Sequence, residues 1–266
     1  MKSWLFVLGR QPELGFAELR ALISSFKMQR PLTLASSHVA LLDGVDDSLD
    51  PTQFLPRLGG TIKIAEMTNS FPRVRDTRAN LKELLKNDGI LREFDEGKEG
   101  KWTFGISVYG AEQDRDVARS VHDFGLDLKR YLKSRKRPAR FVDARGQSQA
   151  LSSVVVVGNG LLQERGAEIV LVFGEQLVYR AKTRAVQNFT NYSDRDYGRP
   201  ERNPKGGSLP PKLAQMMLNF AAQSEGAHIV DPFCGIGTVL QEGLLMGYQV
   251  SGYDLDLEQV ERSKKT

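Results

Sequence analysis

The stretch Ile229-Val230-Asp231-Pro232-Phe233-Cys234-Gly235-Ile236-Gly237-Thr238-Val239-Leu240 decides the fold of the C-terminal part of this chain. A short apolar run, a glycine turn, a helical run and a second strand that ends in Asp254 predict one βαβ unit. Glycines in such a turn allow unusual dihedrals and a close approach of a ligand, and free N–H groups at the helix start point at it. An acid about 20 residues further on is typical of a ribose contact. The stretch therefore predicts a nucleoside-binding site.

The acid before the turn narrows the choice of ligand. The third glycine of a dinucleotide fingerprint is missing, and Asp231 repels a pyrophosphate but attracts a sulfonium or an ammonium group. The motif from Asp231 to Thr238 closely resembles the first motif of RNA methyltransferases that use S-adenosylmethionine and carry a THUMP domain. A turn that binds no ligand is the alternative, and the acids following both strands argue against it.

Composition limits the class of protein. A chain of 266 residues with 40% hydrophobic content is long enough for two or three small domains, and its net charge of +4 predicts that any nucleic-acid surface is a local patch. The single Cys234 excludes an internal disulfide framework and indicates a reducing compartment. The apolar runs are too short for a membrane span or a secretory signal. We therefore expect a soluble cytoplasmic protein without a membrane partner.

The first part of the chain predicts a small α+β domain over residues 1–74. Periodicity indicates a strand at 4–8, a helix at 13–26 with Phe26 on its apolar face, strands at 38–42 and 63–68, and a helix or loop at 51–60 between them. This order is typical of a ferredoxin-like domain. The segments Leu14-Gly15-Phe16-Ala17-Glu18-Leu19 and Leu58-Gly59-Gly60-Thr61-Ile62-Lys63-Ile64-Ala65-Glu66 resemble the N-terminal domain of archaeal-type tRNA guanine-10 N2-methyltransferases. We interpret both segments as scaffold.

The next part, residues 75–185, predicts a second domain. Helices are expected at 79–86 and 114–133, and strands at 102–109, 153–157, 169–173 and 177–182. The long helix carries its apolar residues on one face, which indicates packing on a sheet. This order of elements resembles a THUMP domain, and the resemblance implies RNA binding.

A dense group of cations follows the middle of the long helix. It consists of Lys129, Arg130, Lys133, Arg135, Lys136, Arg137, Arg140 and Arg145. Cations at a helix end often only complement the helix dipole and stay solvated. Their density here, with Tyr131 and Phe141 among them, favours contacts with RNA phosphates and bases. The three histidines are scattered, so no metal site is predicted.

Residues 186–207 are poor in aliphatic side chains and predict a linker. The segment after it, with Ser208 as a cap and the pair Pro210-Pro211, favours a helix start. A resemblance to the entry of the family's catalytic domain covers Arg195, Asp196, Arg199, Pro200, Arg202 and the residues from Ser208 to Gln215. It implies that Ser208, Leu209 and Pro210 contact the methionine end of the cofactor. The alternative is that these residues only begin a helix.

The motif that performs catalysis in the family is missing. Relatives carry an Asp- or Asn-Pro-Pro-aromatic motif after the fourth strand, which accepts the hydrogens of the amine and stacks on the base. Here the only Pro-Pro pair lies between Leu209 and Lys212, so no catalytic residue is assigned. Two parallel strands would also leave apolar surface uncovered. We therefore expect that a further C-terminal segment or a second chain completes the domain, and that this chain alone is inactive.

The sequence thus predicts an α+β N-terminal half, with a ferredoxin-like and a THUMP domain, followed by the first βαβ part of a Rossmann-like methyltransferase domain over 208–266. By resemblance, the reaction is N2-methylation of a guanine in tRNA, at position 10, with S-adenosylmethionine as cofactor. The cofactor residues are Asp231, Pro232, Phe233, Cys234, Gly235, Gly237, Thr238, Asp254, Ser208, Leu209 and Pro210. Two alternatives remain: a methyltransferase of large-subunit ribosomal RNA, and a non-catalytic RNA-binding protein with a remnant domain.

Overall fold

The computed structural model describes residues 1–25, 31–45, 49–86, 90, 93–94, 100–114, 116–144, 149–198, 209–221, 224 and 226–265. The strands in these ranges are β1 (Lys2–Leu8), β2 (Leu32–Ser36), β3 (Val39–Val45), β4 (Thr61–Pro72), β5 (Trp102–Tyr109), β6 (Ala139–Val142), β7 (Gly166–Phe173), β8 (Leu177–Val186), β9 (His228–Asp231) and β10 (Gln249–Gly252). The helices are α1 (Pro12–Ser25), α2 (Pro51–Phe54), α3 (Thr77–Lys86), α4 (Val117–Ser134), α5 (Ser153–Gly158), α6 (Phe189–Tyr197), α7 (Pro211–Ala221), α8 (Thr238–Leu245) and α9 (Leu257–Ser263), and a 3-10 turn spans Leu55–Arg57.

The chain divides into two compact units that alternate along the sequence. The first contains residues 1–7, 30–52 and 62–186, and the second contains residues 8–29, 53–61 and 187–266. Strands from residues 1–74 and from residues 75–185 share one sheet in the first unit. The division into domains at residues 74, 185 and 207 stays a prediction. Among the described residues, no helix combines the length and apolar character that a membrane crossing requires.

The first unit is built on an eight-stranded mixed sheet with the order β2-β3-β1-β4-β8-β7-β5-β6. Strand β5 runs parallel to both β6 and β7, whereas β8 is antiparallel to β4 and to β7. Helix α4 covers one face of the sheet because apolar residues recur along it every three or four positions, as predicted, and the five residues of this stripe are buried. These residues are Val117, Val121, Phe124, Leu128 and Leu132.

An ion pair is buried in this sheet. Lys63 of β4 donates to the carboxylate of Glu168 of β7, and both side chains are at most 1% exposed. Ser107 and Thr183 donate to the same carboxylate at 2.5 and 2.6 Å, so its acceptor capacity is well used. A buried charge is tolerated only when it is paired and hydrogen-bonded in this way. These contacts thus join four neighbouring strands, β4, β8, β7 and β5, in a fixed register.

Two predicted elements are wrong. The valine run at 153–157 is the helix α5, not a strand, because the Ser152 side chain caps it by accepting from the Val155 N–H and only Val156 is buried. Strand propensity of valine depends on packing, and here the cap prevails. The predicted linker contains α6, whose Asn188 cap accepts from Asn191 N–H and whose Tyr192 is buried. Strand β2 was not predicted, and Phe26 lies outside the described residues.

The second unit brings the two segments predicted as scaffold together. Buried Glu18 of α1 accepts hydrogen bonds from the N–H groups of Gly59 and Gly60 at 2.9 and 2.8 Å, and from Asn219 Nδ2 of α7 at 2.7 Å. A Cβ on Gly60 would lie 2.6 Å from Gly15 Cα, so the backbones touch where no side chain fits. Residues from the start of the chain therefore form the support on which α7 packs.

Candidate cofactor site and basic groove

The predicted βαβ unit is present in the second unit. Strand β9 pairs in parallel with β10, with Ile229 opposite Val250 and Asp231 opposite Gly252. Helix α8 connects them, and the turn of residues 232–237 lies between the end of β9 and the start of α8. The carboxyl ends of both strands therefore meet at this turn, which is where ligands bind in parallel α/β sheets.

The turn depends on two glycines in the left-handed region. Gly235 has a φ of 51° and Gly237, the residue before α8, has a φ of 86°. Residues with a Cβ rarely adopt this conformation. A Cβ on Gly235 would have no other atom within 4 Å, so this side of the turn is open to a ligand.

Both predicted acids bind the backbone of this region. Asp254 Oδ2 accepts from the Gly235 N–H at 2.8 Å, its Oδ1 accepts from the Asp256 N–H at 2.9 Å, and Asp231 Oδ1 accepts from the Phe233 N–H at 3.0 Å. The bonds from the N–H groups of Asp256 and Gly235 lower the pKa of Asp254, because they favour its charged form. Asp254 lies two residues beyond the end of β10, not on the strand as predicted.

Cys234 is a lining residue with little nucleophilic character. Its side chain is buried, and its N–H donates to the Tyr253 carbonyl at 2.8 Å. Burial raises the pKa of the thiol, and the negative charges of Asp231 and Asp254 raise it further. A protonated thiol supports the interpretation of Cys234 as a small residue of the turn. The two acids also lie close enough to act on the same thiol.

The other predicted cofactor residues differ in exposure. Thr238 is buried at the start of α8, whereas Pro232 and Phe233 are exposed, Phe233 by 82%. The Pro210 carbonyl accepts from the Leu213 N–H at 2.9 Å, and α7 begins at the next residue. This agrees with the predicted helix start. Ser208 lies outside the described residues. Cofactor contacts by Ser208, Leu209 and Pro210 stay predictions.

Gly252 is a residue of this site that sequence reasoning missed. A Cβ there would lie 2.4 Å from Leu240 Cδ1 and 2.9 Å from Cys234 Cβ, so only glycine lets the turn and α8 pack on β10. The sequence could have indicated this role, because Gly252 stands two positions before Asp254 at the end of a predicted strand.

The arrangement suits a nucleoside with a positive charge. An open glycine turn, two carboxylates beside it and an exposed aromatic ring are chemically appropriate for the ribose, the sulfonium and the adenine of S-adenosylmethionine. The described residues contain no group of three or more His, Cys, Asp or Glu side chains that is suitable for a metal ion.

The basic cluster lies in the first unit, and the structure brings part of it together. Lys129, Arg130 and Lys133 of α4 line a groove of about 260 Å³ whose other walls are Leu126, Pro138 and Ala139. We call this the α4 groove. Its cationic rim and apolar walls are suited to an anion that carries a flat apolar group.

The remaining cations of the cluster have other contacts. Arg137 Nη1 donates to the Phe94 carbonyl at 2.6 Å, and Arg140 Nη2 donates to Asn159 Oδ1 at 3.0 Å. The Arg135 guanidinium lies 5.4 Å from the centre of the Tyr131 ring. The backbone of Lys136 is in the left-handed region, with a φ of 59°. Arg145 is outside the described residues. Of the seven predicted RNA-binding residues that the structure describes, three therefore lie at one groove.

Comparison with known proteins identifies the class. Residues 199–263 match the RMKL-like methyltransferase domain family UPF0020. The structure resembles that of TrmN from Thermus thermophilus, with a TM-score of 0.54 at 15% identity over 98% of this chain and 68% of that one. It also resembles a possible methylase from Clostridium difficile 630, with a TM-score of 0.53 at 12% identity over 99% of this chain and 71% of that one. The chain has an α/β methyltransferase-like fold with a large mixed sheet, and S-adenosylmethionine is the cofactor of this class.

The sequence relatives are more particular. The chain is 28% identical, over its whole length and 68% of the relative, to the tRNA (guanine(10)-N2)-dimethyltransferase of Methanothermobacter thermautotrophicus. It is 35% identical over 88 residues, 30% of this chain and 24% of the relative, to the enzyme of the same name from Methanocaldococcus jannaschii. The chain is thus a homologue of the tRNA (guanine(10)-N2)-dimethyltransferases, so the predicted resemblance to guanine-10 N2-methyltransferases of tRNA is confirmed.

Proposed function

We propose that the chain belongs to an S-adenosylmethionine-dependent methyltransferase that modifies N2 of a guanine in tRNA, at position 10. The observation that carries the proposal is a full-length similarity to an enzyme of that name combined with a glycine turn held by Asp254. S-adenosylmethionine supplies the methyl group from its sulfonium. The residues of this chain bind and orient the cofactor.

Each residue around the turn has a distinct role in this proposal. The ionised Asp254 accepts from the ribose hydroxyls, and the turn holds the amino-acid end of the cofactor. The residues of the turn are Asp231, Pro232, Phe233, Cys234, Gly235, Gly237 and Thr238. Ser208, Leu209 and Pro210 contact the methionine end. Support comes from the bonds that the Asp254 carboxylate accepts from Gly235 and Asp256, which hold this charged acceptor beside the turn.

A THUMP domain over 75–185 grips the RNA in this proposal, and the ferredoxin-like part over 1–74 is scaffold. The α4 groove supplies cations for phosphates. The protein acts in the cytoplasm, where a lone thiol such as Cys234 stays reduced.

The methyltransferase sheet needs further strands. No residue of β9 or β10 is buried, and Val230, Leu255 and Leu257 are 54, 98 and 78% exposed. Parallel strands in proteins are normally covered on both faces. We therefore propose that a further segment of the polypeptide or a second chain adds strands here, and that the 266 residues alone transfer no methyl group.

Calorimetry with S-adenosylhomocysteine and filter binding with a tRNA transcript test the proposal on the whole chain. We expect both ligands to bind, and we expect transfer of radiolabelled methyl groups only after addition of the C-terminal third of the Methanothermobacter relative. A tRNA transcript in which adenine replaces guanine 10 should accept no methyl group.

Each alternative has its own outcome in these experiments. Binding of tRNA without S-adenosylhomocysteine would favour a non-catalytic RNA-binding protein. Tighter binding of a large-subunit ribosomal RNA fragment than of tRNA would favour the ribosomal substrate. Methyl transfer by the 266 residues alone would refute the proposal that the domain needs further strands for activity.

A further inference from the structure

Glu242 is the one charged residue in the sequence of α8, and it points into the second unit. Its side chain is 2% exposed. It lies four residues after Thr238, which is also buried, so both residues occupy the same face of the helix. A buried carboxylate is costly unless a cation and hydrogen bonds compensate it.

Arg195 of α6 compensates this charge. Its Nε lies 2.8 Å from Glu242 Oε1, and its guanidinium carbon lies 4.4 Å from the centre of the Tyr192 ring. A planar guanidinium that pairs with a carboxylate and stacks on a ring is fixed in direction as well as in place. Arg195 therefore sets where the Glu242 carboxylate can lie.

Arg195 is itself held by a chain of buried contacts. The Tyr192 hydroxyl donates to Gln215 Oε1 of α7, and Gln215 Nε2 donates to the Pro56 carbonyl at 2.6 Å. Gln187 Nε2, just before α6, donates to the Leu58 carbonyl at 3.1 Å. Helix α6 is thus fastened to α7 and to the turn after α2.

A neighbouring face of α8 packs closely on β10. A Cβ on Gly243 would lie 2.8 Å from Val250 Cγ1 of β10. The helix is held by this contact and by the ion pair, and its first residue follows Gly237 directly. A rotation of α8 about its axis would turn the N–H groups of the glycine turn away from the direction set by Asp254.

We infer that Arg195 and Glu242 are positioning residues, which fix the rotation of α8 and so align the glycine turn for the cofactor. The inference rests on the proposed cofactor site. It assigns a role to a helix in a region that the sequence predicted as linker.

Two variants separate positioning from simple stabilisation. Arg195→Met removes the cation beside the buried Glu242 carboxylate and should lower both stability and affinity for S-adenosylhomocysteine. The double variant Arg195→Met with Glu242→Leu replaces the pair by apolar side chains, which often restores stability. We expect its unfolding midpoint in urea to recover, while its Kd for S-adenosylhomocysteine stays about tenfold above that of the wild type. Calorimetry is done well below the unfolding midpoint of each variant.

A matched control and a second readout complete the test. Glu261→Gln breaks the exposed Glu261–Lys264 pair of the same unit and should leave the Kd unchanged. Hydrogen exchange of the Gly237 and Gln241 amides, which bond to Cys234 and Gly237 carbonyls, should be faster in the double variant. Wild-type affinity together with wild-type exchange in the double variant would overturn the inference. If the wild type itself binds no S-adenosylhomocysteine, the proposed function fails, and the exchange rates still decide the role of the pair.

Discussion

The carboxylate of Asp254 accepts the N–H of Gly235 at 2.8 Å, so an acid after one strand closes the glycine turn after the other. Such a bond joins the two halves of the site before any ligand arrives. The acid has two functions in consequence: it shapes the turn and it presents a negative charge beside it.

Replacement of Asp254 by Asn should weaken cofactor binding more than folding. The amide oxygen of Asn can still accept from Gly235, but its NH2 group then faces the Asp256 N–H, so one backbone bond is lost together with the charge that favours ribose hydroxyls. We expect calorimetry to give a Kd for S-adenosylhomocysteine roughly tenfold or more above the wild type, since hydrogen bonds to charged groups contribute about 1.5–3 kcal/mol. Asp256→Asn, which alters the cap of α9, is the control and should bind normally. Equal affinities of the wild type and Asp254→Asn for S-adenosylhomocysteine would show that Asp254 does not bind the ribose.

Alanine at the three glycines of the site should have graded effects on stability. Gly235 has open space, so Gly235→Ala costs only its left-handed conformation, about 1–2 kcal/mol. Gly237→Ala adds a contact of 3.0 Å with Ser263 Cβ, and Gly252→Ala places a methyl 2.4 Å from Leu240 Cδ1, which overpacks the site. Urea denaturation should therefore rank Gly235→Ala as the mildest. The reverse order would show that the packing around Gly252 differs.

Glu18 should make stability fall as the pH rises. Burial, which outweighs the bonds from Gly59, Gly60 and Asn219, raises the pKa of Glu18 above its ordinary value of 4.5. The folded state thus keeps the proton to a higher pH than the unfolded state, so the contribution of Glu18 is full below 4.5 and is lost as the pH rises through the folded pKa. The difference in unfolding free energy between the wild type and Glu18→Gln should therefore shrink as the pH rises from 4.5 through the folded pKa of Glu18.

Glu261→Gln is the control for this pH dependence. Lys264 lowers the pKa of the exposed Glu261, so any contribution is present above 4.5 and is lost as the pH falls. The two differences in unfolding free energy, wild type against Glu18→Gln and wild type against Glu261→Gln, therefore change in opposite directions as the pH rises. A Glu18→Gln difference that is constant with pH would show that Glu18 titrates normally.

Lysines of the α4 groove should contribute to tRNA binding mainly through salt-dependent contacts. Lys129→Ala and Lys133→Ala each remove one cation from the rim. We expect each to weaken binding and to lower the slope of log K against log salt by about 1, since one phosphate contact is lost. Lys2→Ala, on β1 of the same unit, changes the net charge equally and should leave the slope unchanged. Equal slopes for all variants would place the RNA elsewhere.

Local patterns in the sequence predicted the elements that depend on neighbours in the chain. The βαβ unit, the buried face of α4 and the acids at 231 and 254 follow from hydrophobic periodicity and turn chemistry within about 30 residues. The same reasoning misread the valines of α5, because β-branched residues favour a strand only where packing supplies one. It also misread α6 as linker, since its polar sequence is helical through a cap and the burial of Tyr192.

The sequence by itself thus determined the class of ligand, through a charged and glycine-bearing turn whose chemistry is local. The tertiary structure alone decided that Glu18 receives the N–H groups of Gly59 and Gly60, and that Arg195 pairs with Glu242. These partners lie 41, 42 and 47 positions apart, and no periodicity in the sequence encodes which of many acids meets which donor. Their pairing follows from the packing of whole helices, which buries these charges beside the groups that compensate them.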